Sequence, residues 1–140
     1  MDLHSHIGPK VSALSNKLKR KIESLSFPDL YAPAQGKALH FILMHADEKL
    51  FQKDIEEEFG IRPASASELL KNMEANGLIR RVPLPEDTRY KQIIPSEAAL
   101  ARRNEVVRDM ENVESKLREG ISPADLAVWV KVTERMTQNL

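Results

Sequence analysis

The sequence predicts a mainly α-helical fold of about six helices carrying a small β wing of two or three strands, and three observations predict it. Two short amphipathic segments, 52–59 and 63–75, are separated by only Gly60-Ile61-Arg62. Two β-favouring runs follow at once, and long apolar stripes at helical spacing occupy both ends of the chain.

Each element has a local justification. Ile7, Val11, Leu14, Leu18, Ile22 and Leu25 recur at spacings of three and four, so the first 26 residues contain an amphipathic helix. It starts near Gly8-Pro9 and ends before Phe27-Pro28. Its other face is polar and little local sequence can cover the stripe, so it must dock on distant segments or on another chain. A second helix begins at Pro33, a residue suited to a first turn, and passes through Ala38, Leu39, Phe41, Ile42, Leu43 and Met44. Apolar residues on most of its sides mark it as central and buried. A third runs from about Gln52 to Phe59 and is broken by Gly60; a fourth opens at Pro63 and reaches Ala75, where Asn76-Gly77 stops it. Leu78 to Val82 and Arg89 to Ile94 are strand candidates, joined through Pro83-Leu84-Pro85-Glu86-Asp87-Thr88. Ser96 caps a helix through about Arg118, with Val106, Met110, Val113 and Leu117 on one stripe, and Gly120 ends it. Ser122-Pro123 opens the last helix, whose apolar face holds Leu126, Trp129, Val130, Val132, Thr133 and Met136.

Composition narrows the function classes. The 140 residues suit a single domain, and 21 basic against 21 acidic side chains leave no overall attraction to nucleic acid or to an anionic membrane. Charge is nevertheless segregated. Residues 62–91 carry Arg62, Lys71, Arg80, Arg81, Arg89 and Lys91 against four acids, residues 1–25 are mildly basic, and 47–60 are acidic. With no cysteine, disulfides, thiolate zinc sites and thiol redox sensing are excluded. No apolar leader or run of about 18 apolar residues is present, so a cytoplasmic protein is expected, away from membranes. The five glycines are scattered rather than gathered into a phosphate-cradling loop, and no nucleophile shows a spacing signature; no enzyme and no cofactor are expected. His4 and His6 lie near the N-terminus, whereas His40 and His45 would stand about 140° apart on a helix, so no metal site is expected.

Helix, turn, helix and hairpin in that order is the arrangement of a winged helix-turn-helix, in which the second helix enters the major groove of DNA. On a helical wheel Ala66, Leu69, Leu70 and Met73 cluster as core, leaving Ala64, Ser67, Glu68 and Lys71 on the other side. The small Ala64, Ser65 and Ser67 allow close backbone approach, an alanine can meet a thymine methyl, and serine hydroxyls can donate or accept. Glu68 is repelled by phosphates, so it should accept from a cytosine amino group or pair with Lys71 or Arg62.

These residues carry a family resemblance. Leu50-Phe51-Gln52-Lys53-Asp54-Ile55 resembles the start of the first helix-turn-helix helix of the MarR regulators, and the run from Ala64 to Ile79 resembles their recognition helix. Pro85-Glu86-Asp87-Thr88-Arg89 is similar to their wing pattern of Asp, any residue, Arg. The resemblance implies one domain over 1–140, with 33–95 as the winged helix-turn-helix and 1–32 with 96–140 as dimerisation helices. It implies a homodimer, each wing placing Arg89, held by Asp87, in a minor groove of a pseudo-palindromic operator in double-stranded DNA. The expected function is that of a sequence-specific transcription regulator, a repressor, relieved by a small aromatic or carboxylate effector. Gln52, Arg62 and Lys91 complete the DNA-binding candidates. Leu14, Leu18 and Ile22 with Val132 and Met136 are the dimerisation candidates. His40, Phe41, Met44 and Met110 are conceivable walls of an effector cleft, though such side chains are more often core. Phe51 stands where the family has a Ser or Thr cap, Glu68 where a base is common, and Pro95 and Ala98 where Thr and Gly occur. The alternative is a winged-helix module that binds a protein or a ligand and no DNA, which the neutral net charge favours.

Overall fold

A computed structural model describes residues 2–30 and 32–140 of the chain. After a 3₁₀ turn at Leu3–Ser5, α1 (Ile7–Leu25) lies along α6 and buries none of its own residues. Its exit is tightly built. Phe27 is 4% exposed and holds φ at +47°, a left-handed conformation costing a bulky residue about 1–3 kcal/mol, which neighbours must offset. The Arg102 guanidinium lies 4.4 Å from the Phe27 ring centre, and the His40 ring meets it edge-on at 6.3 Å. Here α2 (Pro33–Met44) crosses the exit of α1 at Gly36, where a Cβ would stand 2.5 Å from the Ser26 carbonyl oxygen. Only glycine permits that approach.

The centre of the core is α2, with Ala38, Leu39, Ile42 and Leu43 fully buried, as the all-round apolar pattern requires. Around it stand α3 (Gln52–Phe59) and α4 (Pro63–Ala75), contributing Ile55, Ala66, Leu70 and Met73. Gly60, at φ +59°, makes the left-handed stop that turns α3 into α4. At the far end of α4 the Leu78 amide donates to Met73 O and the Gly77 amide to Glu74 O, both at 3.0 Å, with Gly77 at φ +73°. This pair of hydrogen bonds is the Schellman arrangement. The Asn76 amide nitrogen then donates to the buried Gln35 Oε1 at 2.9 Å, tying the same end to α2.

The hairpin pairs β1 (Ile79–Pro83) with β2 (Lys91–Pro95) antiparallel, from Ile79 opposite Pro95 to Pro83 opposite Lys91. Each strand begins later than the side-chain pattern predicts, by one residue for β1 and two for β2. Arg89 therefore belongs to the loop rather than to the strand. The reason is that Asp87 organises a local turn: the Arg89 amide donates to its carboxylate at 3.1 Å, and the Tyr90 amide to its carbonyl at 3.2 Å. A third strand is reduced to one bridge, in which the Ile93 amide donates to Leu50 O at 2.7 Å.

The helix expected from Ser96 to Arg118 is two: α5 (Glu97–Leu100) and α6 (Arg103–Arg118), which brings the α-helices among the described residues to seven. Ser96 does cap, its Oγ accepting from the Ala99 amide at 3.1 Å. The break falls where the Arg102 amide donates to Ala99 O at 3.0 Å, three residues back. At this junction Arg102 Nη2 donates to Asp29 at 2.8 Å and to Glu105 at 3.3 Å. Ser122, whose Oγ accepts from the Asp125 amide at 3.1 Å, caps α7 (Pro123–Asn139), which buries no residue.

Candidate nucleic-acid interface

The wheel reading of α4 sorts its side chains as their exposure requires. Ala66, Leu70 and Met73 are buried and Leu69 is half-buried, whereas Ala64, Ser65, Ser67, Glu68 and Lys71 are exposed. Among the described residues, none of the polar side chains in that exposed row makes a hydrogen bond or ion pair within the chain. Glu68 in particular is paired with neither Lys71 nor Arg62. A row of unpartnered donors and acceptors on a rigid helix is free to bond an external surface. Arg62, at the N-cap of α4, is also exposed and unpaired.

Gln52 behaves differently. Its side-chain amide donates to Pro63 O at 3.1 Å and to Glu56 Oε2 at 3.3 Å, so it braces the entry of α4 from the first turn of α3. Phe51 has no capping oxygen, and the start of α3 is held instead by Asp54, whose carboxylate accepts from the Phe51 amide at 2.8 Å. The N3 acid alone supplies half of a capping box. The Phe51 ring is thereby left to meet Tyr90 edge-on at 6.4 Å, a contact between α3 and the wing loop.

In the wing, Arg89 lies in a fork: Nε donates to Asp87 Oδ1 at 3.0 Å and Nη2 to Oδ2 at 2.8 Å. The Asp87 side chain is 30% exposed and that of Arg89 84%, so the acid is the anchor and the guanidinium is presented to solvent. These hydrogen bonds hold the Asp87 carboxyl below its ordinary range and push Arg89 up, which keeps both groups charged. Lys91 opens β2 and is exposed.

Three wing residues were not among the site candidates. Arg80 is exposed and has no partner among the described residues, while its neighbour Arg81 is half-buried and forked onto Glu74 of α4. Strand alternation within the Arg80-Arg81 pair was the available signal. Tyr90 is 56% exposed beside Arg89, and only its neighbour in sequence hinted at it.

At the other end, Leu14 is exposed, Leu18 and Ile22 are half-buried, Val132 is exposed and Met136 half-buried. Leu14 and Leu18 line a groove of about 590 Å³ with Val113 and Leu117 of α6. A second groove of about 750 Å³ lies between α2 and α6; Met44 and Met110 line it, but His40 and Phe41 do not. His40 is 3% exposed, and Phe41 packs on Phe59 and His45. His45 Nδ1 bonds to Phe41 O at 2.9 Å. Among the described residues no group of three or more potential ligands could hold a metal ion, and no helix is long and apolar enough to cross a membrane.

Residues 32–89 match the model of the MarR family. The chain is 25% identical over 99 residues to an uncharacterized HTH-type transcriptional regulator of Bacillus subtilis, YdgJ; the match covers 71% of this chain and 60% of that relative's length. Among solved structures it resembles a putative MarR family regulator from Listeria monocytogenes complexed with 26mer DNA, at TM-score 0.71 and 20% identity over 96% of this chain and 89% of that one. It also resembles the S. aureus MepR–DNA complex, at TM-score 0.71 and 23% identity over 96% and 98% of the two chains. At these identities the likeness is one of fold.

Proposed function

We propose that this chain, whose residues 32–89 match the MarR family model, is a sequence-specific, double-stranded-DNA-binding transcription regulator of that family, a repressor that acts as a homodimer on a pseudo-palindromic operator. The observation that carries this reading is the wing: a solvent-presented Arg89 held in a fork by a more sheltered Asp87, next to a helix whose outward polar row has no partner among the described residues. An arginine in that position suits a narrow, electronegative minor groove. The small residues Ala64, Ser65 and Ser67 suit close approach to base edges in the adjoining major groove, with Glu68 and Lys71 choosing among bases and Arg62 and Lys91 meeting phosphates. Its place is the cytoplasm, and its action is binding rather than catalysis.

The dimer rests on apolar side chains that the single chain leaves uncovered on both terminal helices, Val11 and Leu14 on α1 and Val128 and Val132 on α7. A small aromatic or carboxylate effector would take the groove between α2 and α6. Both arginines at its rim are already paired, Arg103 with Asp47 at 2.9 Å and Arg118 with Glu114 at 2.7 Å, so an incoming carboxylate must compete for them. The neutral net charge favours a second reading, a winged module that engages a protein or ligand without DNA. Incubating purified protein with a random duplex pool and sequencing what it retains tests the two. Enrichment of a sequence with two related half-sites about one helical turn apart is expected; retention of no duplex above a protein-free control would leave the second reading.

A further inference from the structure

We propose that Glu74 and Arg81 are positioning residues that fix the angle of the wing against the recognition helix, so that Arg89 arrives at DNA in register with α4. This rests on the DNA-binding reading above. Glu74 lies in the last turn of α4 and Arg81 in the middle of β1, and the fork between them uses both carboxylate oxygens. Oε1 accepts from Arg81 Nε at 3.1 Å and from Nη2 at 3.0 Å, while Oε2 accepts from the Arg81 backbone amide at 3.3 Å. The backbone bond matters because it locates the strand itself and not merely a side chain.

A two-stranded ribbon is marginal by itself and takes its orientation from whatever holds its base. On the β2 side the Ile93 amide is tied to Leu50 O, and at the tip Tyr90 leans on Phe51; both contacts lead to α3 and its entry. The polar link from β1 to α4 is Glu74. The Arg81 side chain is 20% exposed and Glu74 36%, the most sheltered ion pair among the described residues, where a charge-assisted fork keeps more of its strength than at an open surface. Arg81 holds the Glu74 carboxyl below its ordinary range, and Lys91 adds to this, so the acceptor stays ionised at neutral pH. A tilt at the β1 base is magnified at Arg89, beyond the end of the strand. Arg80, next along the strand, is exposed and unpaired, so the two adjacent arginines divide the work, one holding the wing and one facing solvent.

The test is a double-mutant cycle with Glu74→Ala and Arg89→Ala, read by fluorescence anisotropy on a duplex that the wild-type protein retains from a random pool. Glu74 and Arg89 share no bond, so a merely structural role for Glu74 predicts additive losses. The positioning role predicts that Glu74→Ala weakens binding roughly tenfold in the wild-type background and hardly at all once Arg89 is gone. Hydroxyl-radical footprinting should show the wing's minor-groove protection lost in Glu74→Ala while major-groove methylation protection under α4 persists. Glu74→Gln, which keeps the shape and one acceptor oxygen, should fall between wild type and Glu74→Ala, and it carries the cycle if the alanine variant fails to fold. Equal losses in both backgrounds, or intact wing protection in a folded Glu74 variant, would overturn the proposal alone. A wild type that retains no duplex overturns it together with the DNA-binding reading.

Discussion

Two side chains in the candidate interface carry opposite charges, and their substitution should fail in opposite ways. Arg89 offers a solvent-presented cation, so Arg89→Ala should weaken binding to a selected and to a scrambled duplex alike. The loss should be about tenfold or more, and the slope of log affinity against log salt should fall by about one phosphate equivalent per wing. Glu68 is an unpaired acid on the exposed row of α4. Glu68→Gln removes repulsion from phosphates, so affinity for the scrambled duplex should hold or rise while discrimination at one base pair relaxes if the carboxylate reads a cytosine. Anisotropy titrations with both duplexes at several salt concentrations separate the four quantities. Both residues were legible in the sequence because helical spacing and a short turn motif are local signals. Arg81 was not legible, since its role depends on Glu74 across a turn and on a burial that strand alternation only suggests.

Helices punctuated by proline, glycine and serine appear where the sequence places them: α3 at Gln52–Phe59, α4 at Pro63–Ala75 and α7 from Pro123. Their caps are local chemistry. The break between α5 and α6 has no such mark, and the arginine at the junction has its partner, Asp29, 73 residues earlier in the chain. For the same reason the left-handed Phe27 could not be anticipated: the cation and the imidazole that flank its ring come from α2 and the α5–α6 junction. The stripe on α1 was legible, yet the structure shows that α6 covers it only in part, leaving Leu14 exposed and Leu18 half-buried. Leu18→Glu should therefore shift sedimentation from dimer toward monomer, with helical circular dichroism of the winged region retained. A wild type that sediments as a monomer would remove the basis for this expectation.

Across the molecule, stability should depend on pH through His40, which is 3% exposed with its Nε2 unpartnered. Burial pushes its pKa below the ordinary value of 6.5, while the nearby Asp109 carboxylate pulls the other way and loses. The unfolded chain then binds a proton that the folded chain refuses, so stability is full above about pH 6.5 and falls as the pH drops toward the lowered folded value. Urea midpoints measured on either side of that pH should differ for wild type and converge for His40→Leu; an unchanged difference in the variant would assign the effect to other groups. The last helix sets a second global property. Val128, Trp129 and Val130 of α7 are each about half exposed, and among the described residues no α7 side chain bonds to another element. If the proposed dimer is what covers α7, its order should follow mass action and depend on protein concentration. Progressive dilution should speed amide hydrogen exchange across Val128–Val132 while leaving Leu39 and Leu70 unchanged, so that the molecule loses its outermost helix well before its core notices.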